Sequence, residues 1–269
     1  MPCHQIRFIA TDMDGSLLNE QGQLPDGFFP LFEQIDKHDI LFAAASGRQY
    51  YSLAETFASI KDRMLFIAEN GTLVIQNDEI LYSCGIEKSV TDKVIKQTRE
   101  LDGAFVVLCG KKSAYIETQD ATAVEEIKKY YHRCQYVDDL TQVNDEFIKV
   151  AICHFSGTQD NVYPTVNTAF GQELQVVVSA KIWLDVMNKS ASKGTAIEFL
   201  QQRFDFTQQQ TMSFGDYFND VEMLKVSDFS YAMDNAHPEI KALANYIAPS
   251  NRDSGVLTVI RDYLQDLEQ

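Results

Sequence analysis

The two ends of the chain show short apolar runs that alternate with longer segments of helical periodicity. Residues 41–45 and 64–68 are continuously apolar and end at polar turns, as buried strands do. Between such runs, apolar residues recur at helical spacing, for example Leu31, Phe32 and Ile35. Strands that alternate with helices through short connections predict a parallel sheet that is covered by helices on both faces.

The middle of the chain has a different rhythm, in which a helix-like segment leads to one or two strand-like segments. The helix-like segments lie at residues 87–101, 121–133 and 159–170. This order predicts a separate α+β domain with its own mixed or antiparallel sheet. We therefore predict an α/β fold in which residues 1–84 and 188–269 form a doubly wound, Rossmann-like parallel-sheet core. Residues 85–187 form the inserted α+β domain.

Composition narrows the range of partners. The chain carries 23 Lys and Arg residues against 39 Asp and Glu residues, and its formal net charge of −16 repels nucleic acid and anionic membrane surfaces. The start of the chain lacks the pattern of a signal peptide, and no apolar run approaches the roughly 20 residues of a membrane helix. We therefore expect a cytoplasmic protein with neither nucleic-acid nor membrane partners.

The cysteines predict neither a zinc site nor a disulfide. The chain has five of them, spread along the sequence from Cys3 onward without a C-x-x-C pair. Cys84, Cys109 and Cys153 lie in apolar stretches, where we expect small buried thiols in a reducing compartment.

An acidic pair follows the first predicted strand. Asp12 and Asp14 are two residues apart and precede Gly15. Because ligands gather at the carboxyl ends of strands in open α/β sheets, this is the end where a site is expected. The pair fits a divalent metal site, or a nucleophile (Asp12) beside a proton donor (Asp14). A plain turn, for which Asp and Gly are both suited, explains the same residues.

Three further segments offer groups that suit a phosphate or a metal ion. Ser46 and Gly47 close a second strand, where a hydroxyl beside a glycine N–H suits a phosphate. Lys193 opens a helix, where a cation opposes the helix dipole and is expected to face an anion. Asp216, Asn219 and Asp220 lie where a further strand ends and the next helix begins. Taken one at a time, these segments also fit an ordinary turn at Ser46, a solvated side chain at Lys193 and a helix cap at Asn219 or Asp220. Only their combination points specifically to a phosphate or metal site.

In this chain order the combination resembles the motifs of the haloacid dehalogenase superfamily of phosphohydrolases, and within it the Cof-type, sugar-phosphatase-like branch. The resemblance rests on residues 12–16, Ser46, Lys193 and residues 215–220. It extends over the whole chain, because residues 68–71 and the tail from Asp234 also match. The inserted middle corresponds to the cap domain of this branch. Ser16 stands where threonine is usual, and Tyr217–Phe218 stand where smaller residues are typical, which leaves the shape of the substrate open.

The resemblance implies a magnesium-dependent phosphatase, a phosphoric monoester hydrolase. Asp12 is then the nucleophile that forms an aspartyl-phosphate, and Asp14 is the general acid and base. Mg²⁺ is held by the Asp12 carboxylate, the Asp14 backbone carbonyl and Asp216. Asp220 orients Lys193 or the water molecules of the metal. The phosphate-binding residues that the resemblance implies are Ser46, Gly47, Lys193 and Asn219.

The implied partner is a small phosphorylated metabolite, with sugar phosphates as the leading class, and the protein is expected to be a monomer or a small homo-oligomer. In the cap, the candidates for contact with the leaving group are Tyr115, Glu117, Trp183 and Asp185. For Trp183, however, core packing is favoured.

Three alternatives stay open at this point. The same core supports a phosphotransferase such as a phosphosugar mutase. A phospho-accepting signalling or regulatory protein would keep the aspartyl-phosphate as its output, but the acid–base group at Asp14 favours rapid hydrolysis. A non-catalytic descendant would have no reason to carry every catalytic side chain of the motif set.

Overall fold

The computed structural model describes residues 5–268, so Cys3 lies outside the described residues. The strands are β1 (Phe8–Thr11), β2 (Leu41–Ala45), β3 (Leu65–Ala68), β4 (Leu73–Gln76), β5 (Glu79–Ser83), β6 (Ala104–Gly110), β7 (Ala114–Ile116), β8 (Cys134–Tyr136), β9 (Phe147–His154), β10 (Leu174–Ala180), β11 (Trp183–Asn188), β12 (Thr211–Gly215), β13 (Phe229–Met233) and β14 (Tyr246–Ala248).

The helices between these strands range from one turn to more than three turns. They are α1 (Phe28–Lys37), α2 (Tyr50–Thr56), α3 (Lys88–Arg99), α4 (Ala121–Lys128), α5 (Thr158–Asn161), α6 (Tyr163–Phe170), α7 (Lys193–Phe204), α8 (Val221–Lys225), α9 (Pro238–Leu243) and α10 (Gly255–Leu267). Short 3₁₀ turns lie at Lys61–Arg63, Glu69–Gly71, Leu140–Gln142, Gln208–Gln210, Phe218–Asp220 and Asn251–Asp253. Within the described part of the chain, no helix is both long and apolar enough to cross a membrane.

The chain divides into two compact units. The first takes in the described residues up to Gly47, then Phe57–Tyr82, and then the residues from Ser192 onward. The second consists of Arg48–Thr56 and Ser83–Ala191. Helix α2, which the apolar pattern did not predict, thus groups with the second unit. The domain boundaries drawn from the sequence stay a prediction, as does the assignment of residues 85–187 to a cap.

The first unit is built on an eight-stranded sheet of order β14-β13-β12-β1-β2-β3-β4-β5. From β14 to β3 the pairs are parallel, and β4 then pairs antiparallel with β3. The predicted α/β core with a largely parallel sheet is therefore confirmed. The strand order reverses at β1, which has β2 on one side and β12 on the other. In open α/β sheets, ligands bind at such a switch point, beyond the carboxyl ends of the strands.

Both faces of this sheet are covered, as the continuously apolar strands predict. On one face, Phe8, Ala10 and Ala43 pack with residues of α7, including Ile197 and Leu200. The other face carries an aromatic cluster in which the α1 rings lie against Phe42 and Phe57, and Phe57 in turn lies against Phe66. Residues on β1 alternate between the two faces because successive side chains of a strand point to opposite sides. This packing fixes β1 rigidly at the centre of the unit.

The second unit contains a six-stranded sheet of order β10-β11-β9-β6-β7-β8. Its described pairs are antiparallel except for the parallel pair of β7 and β8, so the prediction of a mixed or antiparallel sheet is confirmed. One face packs against α3 and α6 through a cluster that includes Val106, Val150 and Leu184. The cysteines Cys84, Cys109 and Cys153 are buried, as expected from their apolar surroundings.

Two helix predictions in this unit were wrong in length. The helix predicted over residues 121–133 ends at Lys128, because the chain must turn back to pair β8 with β7. The helix predicted over residues 159–170 is split at Val162 into α5 and α6. Pro164 lies in the first turn of α6, where its missing N–H costs no helical hydrogen bond. Helical spacing alone does not reveal such interruptions.

Candidate active site

The chemical groups singled out in the sequence follow neighbouring strands of the first unit. Asp12 follows β1, Ser46 follows β2, and Asp216 follows β12. These three strands are adjacent and parallel in the order β12-β1-β2, so their carboxyl ends meet at one edge of the sheet. Lys193 begins α7 in the same unit, after Ser192 caps the helix by accepting a hydrogen bond from the Thr195 N–H.

The backbone after Asp12 makes one wide turn over Met13–Leu17. The Leu17 N–H donates to the Asp12 carbonyl at 3.1 Å, and the Leu18 N–H donates to the Met13 carbonyl at 2.8 Å. Gly15 has φ of +84°, and a Cβ at this position would overlap the carboxylate of Asp216. Glycine is therefore required here both by the left-handed backbone and by the close approach of a second acidic residue.

Lys193 is the centre of a buried charged group. Its side chain is fully buried, and its Nζ donates to Asp12 Oδ1 at 2.5 Å and to Asp220 Oδ1 at 2.6 Å. Gly71, with φ of +89°, lets the start of α7 come this close, since a Cβ there would overlap the Ser192 carbonyl. Burial by itself lowers the pKa of Lys193, but the Asp12 and Asp220 carboxylates outweigh burial and raise that pKa. The lysine is therefore charged, and it fixes the orientation of Asp12.

Asp220 uses both of its carboxylate oxygens within the protein. Oδ1 accepts from Lys193, while Oδ2 accepts from the backbone N–H groups of Asp216 and Tyr217 at 2.9 and 3.2 Å. The side chain is fully buried. Asp220 thus joins the loop after β12 to Lys193.

Asp12, Asp216 and Asp220 each place a carboxylate oxygen within 4.8 Å of the others. Burial raises the pKa of Asp216 to about 6, with a further contribution from the charge of Asp220. Burial also raises the pKa of Asp12, and the opposing effect of Lys193 does not cancel this increase. Three carboxylates around one ammonium group leave net negative charge in a buried place. Hard oxygen donors with uncompensated charge fit Mg²⁺, and since Asp220 is already committed, Asp12 and Asp216 are the side chains that fit it.

Three further residues named in the sequence lie at the carboxyl ends of β1 and β2. Ser16 Oγ donates to Asp216 Oδ1 at 3.3 Å, so the hydroxyl that replaces the usual threonine contacts the acidic group. The Asp14 side chain is exposed at the same turn. Ser46 is buried, and its carbonyl accepts from the Asn70 N–H at 2.9 Å.

Asn70 is a site residue that reasoning from the sequence did not single out. Its Oδ1 accepts from Asn219 Nδ2 at 3.2 Å, and its side-chain amide lies so near Gly47 that a Cβ there would be 3.0 Å from Oδ1. Asn70 has φ of +57°, a conformation that asparagine adopts more readily than most residues. The sequence did contain a signal for Asn70, namely the Glu-Asn-Gly turn after a buried strand. This turn matched the family pattern but did not indicate what Asn70 does.

Two further asparagines hold the turn after Asp12 from outside. Asn235 Nδ2 donates to the Gly15 carbonyl at 2.8 Å, and Asn251 Nδ2 donates to the Leu18 carbonyl at 2.9 Å. The two residues are themselves joined, because the Asn251 N–H donates to Asn235 Oδ1 at 3.0 Å. Such long-range side-chain bonds leave no periodic trace in a sequence, so they were missed.

The candidates in the second unit have partners within that unit. The hydroxyl of Tyr115 donates to Asp145 at 2.9 Å, and Glu117 accepts from Arg99 at 2.8 Å. The buried ring of Trp183 packs against two tyrosines, in line with its expected core position. Asp185 is buried with its Oδ1 3.8 Å from Lys149 Nζ.

The geometry thus brings Asp12, Lys193, Asp216 and Asp220 together, while the catalytic and binding roles drawn from the resemblance stay predictions. Residues 9–260 match the family model of the haloacid dehalogenase-like hydrolases. The chain therefore belongs to the haloacid dehalogenase-like hydrolase family.

Individual proteins agree with this assignment. The 5-amino-6-(5-phospho-D-ribitylamino)uracil phosphatase YbjI of Escherichia coli is 31% identical over 262 residues, 97% of each chain. An HMP-PP phosphatase of Enterobacter sp. is 25% identical over 90% of this chain and 89% of its own. The crystal structure of SMU.1108c from Streptococcus mutans UA159 has a TM-score of 0.86 at 30% identity, covering 97% of this chain and all of that one. The predicted family and the predicted enzyme class, a phosphatase, are confirmed.

Proposed function

We propose that this protein is a Mg²⁺-dependent phosphatase that hydrolyses small phosphorylated metabolites through an aspartyl-phosphate on Asp12, with phosphorylated sugars and polyols as its principal substrates. The observation that carries the proposal is the placement of Asp12 at the switch point of the sheet, bound by a buried lysine beside Asp216. The printed name of the E. coli relative YbjI describes a phosphorylated ribityl chain, which supports a polyol phosphate as the substrate class.

In the first step Asp12 attacks phosphorus, so that a bond forms between its carboxylate oxygen and phosphorus while the bond to the leaving oxygen breaks. Lys193 binds Oδ1 and holds the carboxylate in one orientation, which removes an entropic part of the barrier. Asp14 gives its proton to the leaving oxygen. The exposed position of its side chain allows Asp14 to exchange protons with solvent between turnovers.

In the second step Asp14 takes a proton from water, which attacks the phosphoryl group and releases Asp12. The hydroxyl of Ser46, the N–H of Gly47 and the amide of Asn219 bind the phosphoryl oxygens, and Asn70 holds Asn219 in place. The Asp12 and Asp216 carboxylates and the Asp14 carbonyl would hold Mg²⁺, which would supply positive charge to neutralise the phosphoryl group. Without such neutralisation, the acidic group described above repels a phosphate dianion.

Phosphate release tests this proposal directly. The substrates are p-nitrophenyl phosphate and a panel of hexose, pentose and polyol phosphates, each with Mg²⁺ or with EDTA, for the native chain and Asp12→Asn. Asp26→Asn is the matched control, because Asp26 is an exposed aspartate of the same unit. We expect release that needs Mg²⁺ and is lost in Asp12→Asn alone. If the folded native chain binds Mg²⁺ yet releases phosphate from no compound, the proposal is wrong.

A further inference from the structure

The outermost strand of the sheet in the second unit is β10, which has β11 on one side and no other strand of the described residues on the other. It spans seven residues, Leu174–Ala180, none of which is charged or a proline. From Leu174 to Val178 it pairs residue for residue with β11. This regular stretch directs alternate backbone N–H and C=O groups away from β11, and such groups are a template for pairing with a further strand.

The other edge strands of the two sheets are protected against such pairing. β8 and β14 have only three residues each, and Pro249 follows β14 directly. β5 begins with the exposed, charged Glu79. Short strands, prolines and charges are the usual means by which natural proteins block a free sheet edge. β10 has one irregularity, a register shift between Val178 and Ala180, which leaves its regular stretch open.

The side chains on β10 leave apolar surface along this edge. Val176 and Val178 pack against the core cluster of the second unit but are only partly buried. Val177 points to the opposite face of the sheet, because successive side chains of a strand alternate, and it is 39% exposed. A strand added at this edge would cover these three valines, so the burial of apolar surface favours the addition.

The charges at the two ends of β10 indicate that the added strand is the β10 of a second copy. Glu173 and Lys181 flank the strand, both are exposed, and each lies four residues from Val177. In antiparallel pairing about a two-fold axis at Val177, Glu173 of each copy lies opposite Lys181 of the other. Opposite charges in cross-strand positions stabilise a sheet, whereas parallel pairing in register would set Glu173 against Glu173. The flanking charges thus select one direction and one register.

The helical layer on this sheet is compatible with the same arrangement. On the face of Val176 and Val178, α6 packs on β10 and also on α3. Packed helices lie about 10 Å apart, which is about two spacings between neighbouring strands. Pairing of two β10 strands therefore brings the α6 helices of the two copies side by side. Tyr163 and Phe170 of α6 are only partly buried, so this helix still has apolar surface to cover.

We propose that two copies of this chain associate through antiparallel pairing of their β10 strands about a two-fold axis at Val177, which joins two six-stranded sheets into one continuous sheet. Val177 is the centre of the contact, and the pairs of Glu173 with Lys181 fix its two ends. The proposal goes beyond the proposed function, because it holds whether or not the chain hydrolyses phosphate esters.

Sedimentation of the full chain over a range of concentrations tests the association. The salt concentration is about 150 mM, where a screening length of about 8 Å weakens the mutual repulsion of two chains of net charge −16. We expect the mass to rise with concentration from 30.5 kDa towards twice this value. A native chain that stays monomeric, or that grows past the dimer into open assemblies, would overturn the proposal.

Substitutions at the centre of the contact test whether β10 is the surface involved. Val177→Lys is expected to stay monomeric, because a charge at the centre opposes strand pairing, while Val177→Ile is expected to associate as the native chain does. Ile247→Lys is the matched control, because Ile247 is 50% exposed on the edge strand β14 of the first unit. A dimer that Val177→Lys leaves intact contradicts the proposal.

Charge reversal tests the register. Glu173→Lys and Lys181→Glu each set like charges against each other at both ends of the contact, so we expect the dissociation constant of either variant to rise by about tenfold. A mixed dimer of the two variants again has opposite charges at both ends, with the same total charge as the native dimer. The mixture is therefore expected to associate as tightly as the native chain. If the mixture associates no better than its components, the proposed register is wrong.

Hydrogen exchange on the native chain gives a test that needs no variant to fold. The backbone amides of β10 are expected to exchange more slowly at concentrations where the dimer forms than at concentrations where it dissociates, because the second strand accepts their hydrogen bonds. The amides of β14 are expected to exchange alike at both. Association without added protection in β10 would show that the dimer uses another surface, and the proposal would then fail.

Discussion

Each unit of the molecule buries a lysine among carboxylates, and the two arrangements differ. In the first unit, Lys193 is fully buried and contacts Asp12 and Asp220 at 2.5 and 2.6 Å. In the second, Lys149 is 3% exposed and lies 3.8 Å from Asp185, with its Nζ 5.5 Å from the centre of the Tyr131 ring. Three carboxylates lie within 4.8 Å of one another beside the first lysine, whereas the ion pair of the second lysine is with Asp185.

This difference teaches how a functional buried charge is distinguished from a structural one. Taking an ion out of water costs several kcal/mol, and a balanced pair offsets part of that cost. Carboxylates in excess of the cation have no such compensation for the cost of burial. Burial therefore raises the pKa of Asp216 to about 6 and also raises the pKa of Asp12. Folding has no use for this excess. The proposed function accounts for it, because a site for a cation and a phosphate needs this excess at some expense of stability.

The largest expected effect comes from Asp12→Asn. We expect phosphate release to fall on the order of 10⁴-fold or more, because the proposed nucleophile is removed. The free energy of unfolding is expected not to fall. Burial disfavours the charged form of Asp12 and so raises its pKa, and a neutral amide of the same shape avoids this cost. Kinetics and thermal unfolding of the same preparation measure both. A chain that loses stability together with activity would contradict the idea of excess charge.

Asp220→Asn is expected to reduce both properties. Asp220 accepts hydrogen bonds from Lys193 and from two backbone N–H groups, and an amide cannot accept all of them. We expect a loss of about 4 kcal/mol in the free energy of unfolding of the first unit, as for other broken buried ion pairs. Activity is expected to fall about a hundredfold because Lys193 loses its position. Hydrogen exchange in β12 and α7 reports the stability, and unchanged protection there would argue against the central role of Asp220.

Asp185→Asn in the second unit is expected to lower stability by about 3 kcal/mol, because the buried Lys149 then loses the negative charge of Asp185. Replacing both residues, as Lys149→Met with Asp185→Leu, is expected to restore the free energy of unfolding to within about 1 kcal/mol of the native value. Trp183 is the only tryptophan of the chain and lies in this unit, so its fluorescence during urea unfolding measures both variants. A double variant as unstable as the single one would show that the loss does not come from the unpaired charge of the Lys149–Asp185 pair.

The smallest expected effects are changes of stability with pH, measured in EDTA so that no metal ion is bound. The two units are expected to respond in opposite directions. The pKa of Asp216 is about 6 in the folded protein against an ordinary 3.8, so the stability of the first unit falls as pH rises through this interval. Burial raises the pKa of Glu117, but its hydrogen bonds from Arg99 and the Leu140 N–H outweigh burial and lower that pKa. The second unit therefore loses stability as pH falls below about 4.5, the ordinary value of a glutamate.

Added Mg²⁺ sharpens this contrast. At a concentration about 100 times its dissociation constant, a ligand of the folded state stabilises by about 2.7 kcal/mol. We expect that gain in the first unit at pH 7.5, where Asp216 is ionised, and a smaller gain at pH 5, where protons compete. Hydrogen exchange resolved by unit measures both responses, with Asp216→Asn as the control that removes the gain. An equal effect of Mg²⁺ at the two pH values would contradict the role of Asp216.

Much of the first unit was predictable from local patterns. Runs such as 41–45 and 64–68 are apolar throughout because strands of a parallel sheet are buried on both faces, and the structure places β2 and β3 there. Helix α2 was not predicted, because only Tyr50, Ser52 and Leu53 of its seven residues are buried and give little periodicity. In the second unit, the ends of α4 and the break between α5 and α6 depend on strand pairing and on Val162, which helical spacing does not register.

The chemical inventory of the candidate site follows from the chain alone: two aspartates after one strand, a serine after the next, a lysine at a helix start and an acidic loop. Short-range rules suffice for these because strand ends, turns and helix starts are set by nearby residues. Folding alone determines the connections between them. The bond from Lys193 to Asp12 spans 181 residues, and the contacts of Asn70, Asn235 and Asn251 span similarly long separations. Only the packed sheet brings such residues within hydrogen-bond distance, because the strand order that makes them neighbours is fixed by burial of the whole core rather than by any local pattern.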